Sequence, residues 1–303
     1  MSAKVKQHWI PQFYLRYFAI PGFKNKGSAR IWQLDVETHS LSTPKIRDVC
    51  EVEYLYSHIQ KDGSRCFRIE DKLGDLENLI ARMYPRVAEG FPDLEKDWGI
   101  KKLMALFLAT IWLRHPEMQA KTTETHCRMV EFFESAPKDG SGMPAITHAI
   151  VEGKRIEIDD SGYDEWKSAD QNELKVFFAE QIEFNAGRIA EVLIKKRWVF
   201  LCASDPVFLT SDKPLALTHP EKKTFGLGTA DALLMFPISP RRVLWMTDRE
   251  DGEGDGFYPF PSKEASHYNL VTIMNATALL LGQKPPDEHI REVEAWMEKI
   301  SKG

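Results

Sequence analysis

The sequence predicts an α+β fold: a central helical block flanked by an N-terminal β-hairpin and a C-terminal antiparallel strand meander. Three observations carry that expectation. Apolar residues at Ile69, Leu73, Leu76, Ile80 and Met83 recur at the spacing of one helix face. "ARIWQLDVETHSLSTPKI" alternates and turns at Glu37-Thr38, as a hairpin does. After Lys196 come short apolar runs, "WVFLCA", "VFLTS", "LLMFPIS" and "RVLWMT", separated by Ser-Asp-Pro, Ser-Asp-Lys-Pro and Ser-Pro turns. No repeat or low-complexity linker divides the chain. One domain over residues 1–303 is therefore expected, helical over about 66–196 and strand-rich over about 197–275.

In chain order, Pro11 suits the first turn of a helix, where its missing N–H costs nothing. Pro11, Leu15 and Phe18 fall on one face, and Pro21-Gly22 ends the segment. The hairpin follows, then the amphipathic helix through Met83. The stretch from Ile100 to Arg114 is apolar almost all round and belongs in the middle of the structure. His115-Pro116 marks a kink or break, with helix resuming towards Phe133. "KDGSGMP" reads as a loop, and Asp170 to Lys196, with Phe177, Phe178, Ile182, Ile189 and Leu193, as another long helix. "DGEGDG" at Asp251 to Gly256 reads as a flexible acidic turn. "YNLVTIMNATALLLG" reads as helix from its length, and Asp287 to Lys302 as a last amphipathic helix.

Hydrophobic residues at 43% and charged residues at 28% place the chain among soluble globular proteins and exclude wholesale disorder. Cys50, Cys66, Cys127 and Cys202 form no C-x-x-C pair, and no secretory h-region opens the chain, so a reduced, cytoplasmic protein is expected. No membrane association is expected either: Leu103 to Leu113 is too short for a span, which needs about 20 residues. The net charge of −5 gives no global nucleic-acid footprint. Its placement is uneven, however. Lys4, Lys6, Arg16, Lys24, Lys26 and Arg30 all precede the first acid, Asp35, so the opening segment carries +6 and the remainder −11. A basic, aromatic-rich segment can track phosphates and stack on bases. The plainer alternative is a solvated rim of cations around buried aromatics.

Most chemical motifs are missing. There is no H-E-x-x-H and no His/Cys set with structural-zinc spacing; His126-Cys127 with His115 is only a loose group. "GFKNKGS" lacks the phosphate-loop Lys, "GLG" at Gly226 follows no strand, and G-x-S-x-G is absent. Asp212 followed by Glu221 and Lys223 formally fits a metal nuclease, but His219-Pro220 between them reads as a loop. No metal site and no cofactor is identified.

Three features survive. Arg114 ends a nearly all-apolar helix, and a guanidinium cannot shed its charge, so if buried it needs a carboxylate or a bound anion. Glu70 and Glu77 lie beside the apolar stripe, where one of them can meet Arg114 or serve as acid or base; a solvated helix edge is the alternative for Glu70. Asp212 ends a strand in "FLTSDKPLAL", either displayed for function or closing an Asx-type turn on its own backbone. His8 stands just ahead of a helix N-terminus, where the macrodipole disfavours imidazolium and leaves a neutral general base.

The opening "HWIPQFYLRYFA" carries an H-x-x-P-x-x-x-L-x-x-F pattern, and in this the chain resembles the bacterial family known as domain of unknown function 4238. The similarity continues in order through "IEDKLGDLE", "FLATIWLRHP", "FLTSDKPL", "FPISPRRVLWM" and the Asn275 region. One departure is Ile111-Trp112, where members of that family tend to carry Gln. The resemblance implies no catalytic residue; it places His8, Glu77, Arg114 and Asp212 in the family's characteristic segments.

Two functions compete. The first is a hydrolase or transferase acting on a phosphate- or carboxylate-bearing substrate, nucleic acid included. In it His8, Glu77, Arg114 and Asp212 form the catalytic set and Gln12, Arg16 and Lys213 bind substrate. The second is a non-catalytic module that binds nucleic acid or protein through the basic aromatic opening segment. A third arrangement, a buried structural network of the same polar residues, would leave function elsewhere.

Overall fold

Tyr14 and Phe18 have no exposed surface and belong to the core, while Trp9, Phe13 and Tyr17 pack against it and stay partly exposed. The computed structural model describes residues 5–23, 27–138, 140, 148–151, 154–157, 162–250 and 253–302. The N-terminal part runs β1 (Lys6–His8), α1 (Gln12–Leu15) with a 3-10 turn to Phe18, β2 (Trp32–Asp35), β3 (Leu41–Ser42) and β4 (Glu51–Glu53). The helical block holds α2 (Arg68–Ala88), α3 (Trp98–Leu113) and α4 (Pro116–Ser135), then the pair β5 (His148–Val151) and β6 (Lys154–Glu157), then α5 (Tyr163–Lys167) and α6 (Gln171–Lys195). The C-terminal part runs β7 (Arg197–Ala203), β8 (Thr210–Ser211), β9 (Ala216–Thr218), β10 (Leu233–Ser239), β11 (Arg242–Thr247) and β12 (Gly256–Phe260). It ends with α7 (Ala265–Asn275), β13 (Leu279–Gly282) and α8 (Pro286–Ser301). The class is α+β as predicted.

The larger sheet has the order β12-β7-β11-β10-β9, antiparallel except where β12 runs parallel to β7. The second has the order β3-β2-β13-β8, so the N-terminal hairpin is completed by two strands from the far end of the chain. The hairpin turn is pinned by Asp35, whose Oδ1 accepts the N–H groups of Glu37 and Thr38. β8, expected within the meander, joins the hairpin sheet instead.

"YNLVTIMNATALLLG" is not one helix. α7 stops at Asn275, Ala276 turns extended, and Leu279 to Leu281 become β13, held between β2 and β8. A short apolar run carries no period that separates strand from helix, and pairing on both sides decides it. The acidic turn also differs from expectation. Asp251 and Gly252 lie outside the described residues, but Asp255 is buried and accepts from Lys101 Nζ at 2.6 Å and from the Trp198 amide. This pairing makes the burial of a lysine inside apolar α3 tolerable.

At His115-Pro116 the helices break cleanly. His115 Nδ1 accepts the Glu117 N–H as the N-cap of α4, and Pro116 takes the first helical position. α6 begins with a reciprocal capping box between Asp170 and Glu173. One apolar cluster runs from Ile10 through Tyr84, Phe107, Trp198 and Phe236 to Leu281. Within it Phe13 packs on Phe107 and Tyr14 on Phe236, with ring centroids 5.4 and 5.0 Å apart. Among the described residues, no helix is long and apolar enough to cross a membrane. Lys4, Lys24, Lys26 and most of "KDGSGMP" fall outside the described residues.

Candidate functional site

β1 sets the site by alternation. Lys6 points out and pairs with Glu51 at 2.6 Å, Gln7 turns fully inward, and His8 is half-buried opposite Glu51. Gln7 donates to Ser57 Oγ and accepts the Tyr56 amide, which fixes the strand against residues 56–57. The Trp9 indole donates to the Asp212 carbonyl at 3.0 Å, and Tyr14 Oη reaches both Thr210 and the Pro237 carbonyl. His8 thus sits in a segment clamped on both sides.

His8 Nε2 lies 3.0 Å from the Arg47 carbonyl. A carbonyl only accepts, so Nε2 carries the hydrogen and Nδ1 keeps the lone pair. Burial, foremost, lowers the His8 pKa; Arg114 also lowers it, while the Arg47 carbonyl, Glu51 and Glu77 oppose. The neutral ring therefore owes more to burial than to a helix dipole, since α1 is only four residues long. Gln12 Nε2 stands 3.4 Å from His8 Nε2, one helical turn along. Arg16 follows a turn later, half-buried, and forms no ion pair among the described residues.

Across from this segment, Arg114 and Glu77 meet. Arg114 Nη1 donates to Glu77 Oε1 at 2.6 Å. The arginine is 1% exposed, and its Nε and Nη2 have no hydrogen-bond partner. The Glu77 side chain is 30% exposed, and among the described residues its second oxygen has no bond. Tyr56 joins the two parts: its hydroxyl donates to the Arg114 carbonyl at 3.1 Å and lies 3.4 Å from that of His8. Burial holds the Tyr56 phenol far above its ordinary value; Arg114 pulls the other way, and Glu70 and Glu77 add to the rise.

The other predicted residues are turned elsewhere. Asp212 is 2% exposed and commits both carboxylate oxygens to the amides of Thr277 and Ala278, at 3.0 and 2.9 Å. It closes the α7–β13 connection, as a turn-forming carboxylate does, and makes no bond to His8. Burial raises its pKa despite these donors. Lys213 Nζ pairs with Glu117 at 2.6 Å, beside the Trp112 ring. Glu117 falls to about 2: burial works to raise it, but Lys213 and Lys121 prevail. His115, beside them, is pushed down to about 4, first by burial and then by Lys213.

Glu221 sits in an exposed turn whose amides bond His219, far from the buried Asp212 side chain in character. His126 bonds the Trp166 carbonyl. Among the described residues no group of three or more His, Cys, Asp or Glu is arranged to hold a metal ion. Sequence reasoning missed Gln7 and Tyr56, which position His8. The alternation of "KQH" beside a buried strand signals the first; nothing local signals the second.

A family model covers residues 6–285, taking in β1, both sheets and the whole helical block. The chain belongs to that family, described as protein of unknown function (DUF4238). No curated protein and no solved structure matches it. The matched span includes every residue of the cluster just described, so the site is built wholly within the family's own region.

Proposed function

We propose that the chain is a hydrolase or transferase acting on a phosphate- or carboxylate-bearing substrate, at a site formed by His8, Gln12, Arg16, Glu77 and Arg114. The observation that carries this reading is the His8 ring: kept neutral by burial, oriented through Nε2–H on the Arg47 carbonyl, close enough to feel the charges of Glu77 and Arg114, and with no bond to Nδ1 among the described residues. In this reading Nδ1 takes the proton of an attacking water or hydroxyl, which as general-base catalysis is worth about 10²–10⁴ in rate. Arg16, without a carboxylate of its own, neutralises the substrate anion, and Gln12 orients it. Arg114 holds Glu77 in place, so the glutamate's free oxygen meets substrate at a fixed position. The competing module, which would bind nucleic acid or protein through this segment, is less favoured because Tyr14 and Phe18 are buried, which leaves only the partly exposed Trp9, Phe13 and Tyr17 as contact rings.

The test is turnover of p-nitrophenyl phosphate, bis-p-nitrophenyl phosphate and p-nitrophenyl acetate by the full chain. His8→Ala is expected to lower kcat by about 10²–10⁴ with an unchanged circular-dichroism spectrum. Asp212→Asn is expected to lower the melting temperature while leaving turnover per folded molecule intact. Full turnover in His8→Ala, or none of the three esters cleaved by the parent chain, overturns the proposal.

A further inference from the structure

A cavity of about 1010 Å³ lies elsewhere, between the C-terminal end of α2 and the β10–β11 turn. Glu77 and Glu89 are twelve positions apart along α2 and its cap, about 18 Å at the helical rise. The cavity thus stands well away from Glu77, and although Tyr17, next to Arg16, lines it, none of the five residues proposed for the His8 site does.

Its floor holds an anomaly. Four lysine or arginine side chains are buried among the described residues: Lys101, Arg114, Lys196 and Arg242. Three have a carboxylate at 2.6 Å, namely Asp255, Glu77 and Asp248. Arg242 has no carboxylate within bonding distance: its side chain meets the Cys202 thiol, and Glu89 acts on it only from further off. Its Nη1 donates to the carbonyls of Val87 and Gly90, which close the end of α2. Its guanidinium lies 4.8 Å from the Phe91 ring centroid and 5.1 Å from that of Phe257. These contacts are neutral, and a buried cation left without a paired anion is costly. Arg241, next to it, is exposed at the same cavity and forms no ion pair among the described residues. Two arginines side by side suit the bidentate capture of phosphate.

The walls supply the rest of a ligand site. Phe91 is 70% exposed and Tyr258 42% exposed, two aromatic rings at one cavity that keep much of their surface open, although Phe91 also meets Arg242 and the Phe257 ring. Ser204, Ser239 and Glu89 add hydroxyls and one carboxylate acceptor among these apolar faces. The volume stands at the top of the range for small-molecule sites. We propose that this cavity binds a mononucleotide, its phosphate on Arg241 and Arg242 and its base against Tyr258 and Phe91. Inorganic phosphate would leave the aromatic walls bare, and an aryl carboxylate would leave the serines and Glu89 unused. A nucleotide fills both, with the sugar and base edges meeting the polar groups.

Isothermal titration of the full chain with AMP, GMP, CMP and UMP tests this, with the matching nucleosides, inorganic phosphate and benzoate as controls. At least one nucleotide is expected to bind in the micromolar range, and its nucleoside at least about tenfold more weakly. Arg241→Ala and Tyr258→Ala lie on the exposed rim and spare the Arg242 bonds that hold α2. Each is expected to weaken the nucleotide by at least about tenfold at an unchanged melting temperature. Binding of no nucleotide overturns the proposal. So does a nucleoside, phosphate or benzoate that binds as tightly as the nucleotide, or unchanged affinity in both rim variants. The ester assay reads His8 and the Glu77–Arg114 pair at mid-α2, and no variant of the nucleotide test touches them, so the two proposals stand or fall separately.

Discussion

Replacing Glu77 by Ala leaves the Arg114 guanidinium buried without the carboxylate it bonds, and Nη1 joins Nε and Nη2 in having no hydrogen-bond partner among the described residues. Stranding one partner of a buried ion pair costs about 3–5 kcal/mol. The Glu77 side chain is 30% exposed and Arg114 1% exposed, so water enters from one side only and the lower figure, about 3 kcal/mol, applies. Unfolding entropy of about 2.1 cal/mol/K per residue gives about 0.64 kcal/mol/K for 303 residues. The expected fall in melting temperature is therefore about 5 °C. Arg114→Met removes the charge and its orphaned nitrogens together and leaves Glu77 free to hydrate. It should cost no more than about 1 kcal/mol, or about 2 °C. The double variant should match Arg114→Met rather than the sum of the two. Calorimetric melts of the four proteins at neutral pH provide the measurement. A Glu77→Ala shift under about 1 °C, or strictly additive losses, refutes the reasoning, because the guanidinium would then not depend on Glu77.

The Lys101–Asp255 pair is buried on both sides, so Asp255→Asn should be more damaging than Glu77→Ala, at the upper end of about 3–5 kcal/mol; thermal melts that rank the two in the opposite order reject this. Acid should weaken the fold in two stages. His115, folded at about 4 against an ordinary value of 6.5, contributes stability that is lost as pH falls from about 6.5 to about 4, on the order of 3 kcal/mol. Glu117, held at about 2, adds a further loss as pH falls from about 4.5 towards 2. His115→Asn keeps an N-cap acceptor for α4 and removes the first stage; an unchanged melting profile between pH 6.5 and 4 in that variant would count against the assignment.

Local signals are legible where one element decides its own fate. α2 announces itself through Ile69, Leu73 and Ile80, all buried as their spacing requires. Arg114 at the end of an apolar helix demands an acid, and Glu77 supplies it from α2. The signals fail where partners come from far along the chain. β13 is a strand because β2 lies more than two hundred residues upstream with free edges to pair, and no window around Leu280 contains that fact. Asp212 looks displayable from its strand end; the amides of Thr277 and Ala278, sixty-five positions on, consume it. The Arg242 cavity draws its walls from α2's end, β12 and the β10–β11 turn, which no linear pattern brings together.

The same long-range construction bears on how His8 can act. A base contributes to rate only if its lone pair is already aimed, since ordering it during reaction adds to the barrier. Gln7 is locked on Ser57 and Tyr56, Trp9 on the Asp212 carbonyl, and Tyr14 on Thr210 and Pro237. These anchors come from residues 56–57 ahead of the helical block and from both sheets, so the segment that carries His8 is held by the fold itself. Asp212 enters here after all, through its backbone oxygen and not its carboxylate. Loss of the Trp9 anchor should then blur the position of His8 without touching the ring itself. That makes the indole contact, absent from any reading of the histidine alone, part of what a working base at this position requires.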